Sequence, residues 1–170
     1  MWKSVEEKVL KAFLGCLTGF LMILATPNTA LADELQGVWL TEDEEAVLII
    51  ADCGGRLCGR IDWLESAKDR SGALRLDEQN PDPAKRMERV CGLVVITELV
   101  RTDSETWDAS VYNPQDGKTY SGRITVLSDN ALRVRAYVGL PIFGKSETWK
   151  RVDDDPAVGI DYGCDIQGEE

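Results

Sequence analysis

The residue types behind most acid–base and nucleophilic catalysis are thinly supplied in this chain. Its 170 residues include no histidine, so no serine or cysteine can be paired with an imidazole base. No G-x-S-x-G nucleophile elbow occurs. Gly54-Gly55 and Gly144-Lys145-Ser146 carry glycines of the kind that cradle phosphate. Neither has the P-loop spacing, and the second opens a strand-like run rather than a helix. Acidic residues are abundant, 30 in all, and for that reason no pair of them stands out as an acid and a base. The run DEQNPD at 77–82 concentrates oxygen ligands. It lacks the central glycine and late glutamate of an EF-hand and reads as a solvated loop with a helix cap. These residues predict no catalysis, no metal site and no cofactor.

Thiols are the other reactive groups. Cys16 lies in an apolar N-terminal run, and the other four of the five cysteines follow it. Cys53 and Cys58 bracket Gly54-Gly55-Arg56-Leu57, where a turn would bring their Cα atoms within bonding range. Cys91 and Cys164 remain, and a bond between them would tie the C-terminal tail to the domain. With no C-x-x-C pair and no histidine, disulfides are expected rather than zinc. The even number suits two bridges, while the connectivity is not fixed by spacing.

The positioning elements are strands. After residue 33 the chain runs in short apolar or alternating stretches separated by turn residues, a sandwich or barrel pattern. Gly37-Val38-Trp39-Leu40 comes first, then 46–50. In 57–64, Leu57, Gly59, Ile61 and Trp63 share one face. A stretch at 93–100 follows, then one in which Trp107, Ala109 and Val111 alternate with Asp108 and Ser110. Asp116-Gly117 marks a tight hairpin. Tyr120, Gly122, Ile124 and Val126 follow it, then Leu132, Val134, Ala136 and Val138, and a last strand spans 145–152. Eight strands with mostly short connections predict an all-β fold, an antiparallel up-and-down barrel. The stretch 65–90 is the exception, long and charged. Asp82 as N-cap and Pro83 at the first position predict a short helix through Arg86, Met87 and Arg89. The segment is either a lid over a barrel mouth or a surface insertion.

In such a barrel the interior packs shut or holds one small ligand. Trp63 and Trp107, on apolar faces, are the candidates to line a cavity. Tyr112, Asn113 and Tyr120 flank the Asp116-Gly117 turn and are expected to fix it. Gly139-Leu140-Pro141-Ile142-Phe143-Gly144 is an apolar connection between the last two strands. It is expected to fold back as a plug for one end. Exposed, it would form a rim where Leu140 and Phe143 meet a ligand.

The N-terminus carries an address. Lys3, Lys8 and Lys11 precede an apolar run at 12–25, then Pro27, then Ala30-Leu31-Ala32. That is the n-region, h-region and cleavage site of a secretory signal peptide at 1–32, cut before Asp33. The apolar run is shorter than the ~20 residues a membrane span needs, so no lasting span is expected. The chain is then a domain at 33–152 with an acidic tail at 153–170, in the periplasm or secreted, where disulfides form. The formal charge of −11 repels phosphate backbones and anionic membranes, and no nucleic-acid partner is expected.

The stretches GVWLTED (37–43), CGGRLCGRIDWL (53–64), NPDPAKR (80–86), YNPQDGKTYSGRI (112–124) and VGLPIFGKSETWKRV (138–152) together resemble an exported bacterial family, domain of unknown function 2147. The resemblance implies a lipocalin-like barrel in the cell envelope and no catalytic residues. Cys91 and Cys164 are not part of that family's pattern, and their joint presence argues that they pair with each other. The ends of the domain also resemble lipocalins, with Gly37-x-Trp39 on the first strand and Arg151 on the last. There the tryptophan closes the barrel floor and the guanidinium stacks across it. The expected function is binding of a small, apolar or lipid-like ligand inside the barrel. The alternative is a barrel packed solid that meets envelope proteins, none of them identified by the sequence, through the 65–90 loop or the 140–143 rim.

Overall fold

The computed structural model describes residues 34–152 and Cys164. The expected signal peptide and, Cys164 apart, the acidic tail lie outside the described residues. The strands are β1 (Gly37–Leu40), β2 (Ala46–Asp52), β3 (Leu57–Leu64), β4 (Val94–Asp103), β5 (Thr106–Asn113), β6 (Lys118–Ser128), β7 (Ala131–Tyr137) and β8 (Lys145–Arg151). Each pairs antiparallel with its neighbour in sequence, and β8 returns to pair with β1 through Trp39↔Arg151 and Leu40↔Lys150. The sheet closes, so no row of backbone donors and acceptors is left at an edge.

Period-two patterning places the core. In β7 the buried Leu132 and Val134 alternate with outward Arg133 and Arg135. Across β5 and β6, Trp107 faces Ile124 while Asp108 pairs with Arg123 outside, Oδ1 to Nε 2.9 Å. Two of the register shifts in the sheet change which side chains face the core. On β3, Leu48 faces Ile61 but Val47 faces Trp63, so Asp62 is the extra residue. That single insertion puts Leu64 where alternation would put Trp63. On β4, the register slips between Thr97 and Val100, and Glu98 takes φ 54°. Leu99 thereby packs on the core and Val100 is left outside.

One end of the barrel is packed solid. Trp39 is fully buried, and its indole Nε1 donates to the Leu35 carbonyl at 2.9 Å. The Arg151 guanidinium lies 4.2 Å from the Trp39 ring centroid. It also donates to the carbonyls of Gln36, Asp129 and Glu34. One cation thus ties the N-terminal approach and the β6–β7 turn to the barrel floor, as expected for Gly37-x-Trp39 and Arg151.

The long connection between β3 and β4 is not helical. Only Pro83–Lys85 forms a 3-10 turn, with the Asp82 side chain accepting from the Ala84 N–H as its cap. The helix expected through Arg86, Met87 and Arg89 does not form because the backbone there is used otherwise. Leu76 bridges Arg89, Asp77 N–H donates to Glu88 O, and Val90 N–H donates to Arg75 O. Two disulfides complete the fold: Cys53–Cys58 across the β2–β3 turn and Cys91–Cys164, with Cα atoms 5.6 Å apart, fixing Cys164 beside the start of β4.

Candidate functional site

The other end of the barrel is hollow. A cavity of about 740 Å³ runs in from the mouth framed by the β1–β2, β3–β4, β5–β6 and β7–β8 connections. Leu48, Ile61, Ile96, Val134 and Trp149 form its inner wall. Trp149, buried opposite Leu132, is the boundary. Beyond it Trp39, Trp107, Ile124 and Leu132 fill the closed half. The volume lies within the range of small-molecule pockets, and the apolar wall with a few polar groups is the composition of such sites.

The polar groups come from alternation on β8. Lys145 faces Ala136, Glu147 faces Val134 and Trp149 faces Leu132, so all three point inward. Glu147 is an inward carboxylate whose side chain is 30% exposed. One oxygen meets Lys145 Nζ at 3.1 Å, and the other accepts a long bond from Trp149 Nε1 at 3.4 Å. The hydrogen bond to Glu147 raises the Lys145 pKa. Asp43, Glu45, Glu65 and Arg75 complete the charged rim.

Three tyrosines line the mouth, Tyr112, Tyr120 and Tyr137, and the first two donate to carboxylates. Tyr112 donates its hydroxyl to Asp77 Oδ1 at 2.7 Å, and Asn80 Nδ2 donates to Asp77 Oδ2 at 2.6 Å. Asp77 is fully buried and belongs to the long connection. Desolvation, then the bond to Asp77, pushes the Tyr112 pKa up to about 12. Tyr120 donates to Asp116, which raises the phenol's pKa and lowers the carboxylate's. Both tyrosines therefore line the cavity while also fixing local backbone.

The remaining expected residues divide. Phe143 lines the mouth, but Leu140 does not. Their connection is not a plug: Leu140, Ile142 and Phe143 are 61%, 74% and 77% exposed. Pro141–Phe143 forms a 3-10 turn held outward by Arg135 Nε donating to Pro141 O at 2.6 Å. Trp63 and Trp107 do not line the cavity. The Asp62 bulge sets Trp63 beside Val47, on the face opposite Leu48, and Trp107 sits below the cavity floor. Glu147 and Trp149 carry no motif of their own, although the alternation Lys145, Glu147, Trp149, Arg151 aligns them with the Trp39 contact. Asp116 and Gly117 form the expected turn. A Cβ on Gly117, at φ 68°, would fall 1.9 Å from the Gln79 carbonyl oxygen, so the turn abuts the long connection. Among the described residues, no group of three or more Cys, Asp or Glu side chains is placed to hold a metal ion, and no helix is long and apolar enough to cross a membrane.

This barrel matches a solved structure, protein HP1028 from the human pathogen Helicobacter pylori, described as belonging to the lipocalin family. The two are 25% identical with a TM-score of 0.59, over 71% of this chain and 84% of that one. No curated protein matches the sequence. A family model described as "Uncharacterized protein conserved in bacteria (DUF2147)" spans residues 37–151. The chain therefore belongs to that bacterial family, and its fold is a lipocalin-like barrel.

Proposed function

We propose that this protein is an exported envelope protein that binds one small, partly apolar ligand in the open half of its barrel, without transforming it. The observation that carries the reading is the 740 Å³ cavity, whose apolar inner wall is continuous with the packed core below it. The non-catalytic reading is supported by the lining itself: its hydroxyls, Thr41 and Ser66 among them, have no imidazole partner in a chain without histidine. Export is supported by the N-terminal pattern and by two disulfides.

The test is fluorescence titration with N-phenyl-1-naphthylamine, a neutral apolar probe. Saturable one-to-one enhancement is expected. Ala136→Trp, which places an indole in the cavity wall, is expected to weaken it at least tenfold while leaving the melting temperature within a few degrees. Binding unaltered by Ala136→Trp would place the probe elsewhere and defeat the reading. Export has its own check: protein recovered from the periplasm should begin at Asp33 by mass, and a chain retaining Met1 there would contradict it.

A second reading rests on the exposed Leu140, Ile142 and Phe143. An exposed apolar rim of this kind also suits a protein partner. Leu140→Ser/Ile142→Ser would abolish such an association and leave probe binding intact.

A further inference from the structure

We infer that the cavity selects ligands whose polar end is a hydrogen-bond donor, an alkylammonium foremost, with Glu147 as its anchor; the inference rests on the cavity being a ligand site. The charged side chains lining it are four carboxylates, Asp43, Glu45, Glu65 and Glu147, against two cations, Arg75 and Lys145. Lys145 is already engaged with Glu147 at 3.1 Å. Glu147 stands deepest of these, on the inward face of β8 one alternation above the floor tryptophan, Trp149. An apolar tail lying on Leu48, Ile96 and Val134 would bring its head to this carboxylate.

The phenols point the same way. Tyr112 and Tyr120 have committed their protons to Asp77 and Asp116. Their oxygens can then accept but not donate, the Tyr112 oxygen sharing that capacity with the Asn80 side chain. A carboxylate or phosphate head would meet a lining of net negative charge, four carboxylates against two cations. An ammonium would find Glu147, two phenol oxygens and the aromatic faces of Tyr112, Tyr120 and Trp149, the surroundings in which organic cations are held. On binding, the ammonium takes the place of the Lys145 ammonium at Glu147, and Lys145, 83% exposed, moves into solvent.

The experiment is calorimetric titration of the disulfide-intact protein at pH 7 with decylammonium, decanol and decanoate, each below its micellar concentration. Decylammonium is expected to bind at least tenfold tighter than decanoate, with decanol between them. Glu147→Gln is expected to reduce the ammonium-to-carboxylate ratio to threefold or less, with decanol affinity falling by a smaller factor than decylammonium affinity. Should Glu147→Gln fail to fold, Glu45→Gln/Glu65→Gln at the exposed rim is expected to lower the same ratio by a smaller factor. Decanoate binding as tightly as decylammonium, or a ratio unmoved by these variants, would overturn the charge selection and leave the cavity standing as a binding site. Failure of all three probes to bind would overturn both.

Discussion

At the scale of single residues, two side chains do more than fill space. Arg151 stacks on Trp39 and donates to three carbonyls from two separate segments. Arg151→Ala removes all of these at once and bares the Trp39 ring and the part-buried Gln36 carbonyl, so a loss of about 2 kcal/mol is expected in urea unfolding. Arg151→Lys keeps the charge but not the planar fork and should recover less than half of it. Tyr112 is the other. Burial and the Asp77 bond hold its phenol protonated to about pH 12. A tyrosine with an ordinary pKa ionises near 10 once unfolded. The raised folded value therefore contributes stability below pH 10 that is lost as pH rises through 12. Tyr112→Phe should abolish the last phenolate step in absorbance at 295 nm and flatten the stability decline between pH 10 and 12. An unchanged titration would contradict the assignment. The roles of Arg151 and Trp39 were legible in the sequence because they depend on residue type and strand order. The role of Asp77 was not: it looked like one acid in a polar run, and only the fold brings it to Tyr112, 35 residues away.

At the scale of elements, the long β3–β4 connection is a fixed part of the mouth. Its own bridges, Lys68↔Leu74 and Leu76↔Arg89, make it a compact flap. Asp77 and Gln79 then hold it against β5 and the β5–β6 turn. Gly117→Ala is expected to be costly twice, through the positive φ and through the clash with Gln79, by about 2–4 kcal/mol. Hydrogen exchange should show deprotection spreading from the 114–118 turn into 77–80; loss confined to the turn would mean the two are not coupled. The bulges explain where strand reading failed. Alternation placed Leu57, Gly59 and Ile61 correctly, and the extra residue at Asp62 then reversed Trp63. Nothing in the residue types around Asp62 announces that insertion. The turn at Asp116-Gly117, by contrast, was legible because its backbone conformation demands those residues. The exposure of 140–143 was not, because apolar composition alone favours burial.

At the scale of the whole molecule, the barrel is divided into a packed half and a hollow half, with Trp149 between them. The choice between a solid and a hollow interior was left open by composition, since both halves draw on the same alternating apolar residues. The Cys91–Cys164 bond closes a long loop, 73 residues in separation. Chain-entropy reasoning assigns such a bridge about 4 kcal/mol. Cys91→Ser/Cys164→Ser should lower stability by up to that amount while sparing probe binding, because neither cysteine lines the cavity. Loss of binding at full folding would tie the tail to the site. The central claim is that the hollow half holds a ligand, and native mass spectrometry tests it most directly. Protein exported to the periplasm and purified without detergent should carry a stoichiometric adduct, or acquire one on incubation with an envelope lipid extract, and Ala136→Trp should lack it. An apo mass that stays unchanged after that incubation would contradict the account and leave the barrel as a scaffold for protein contacts.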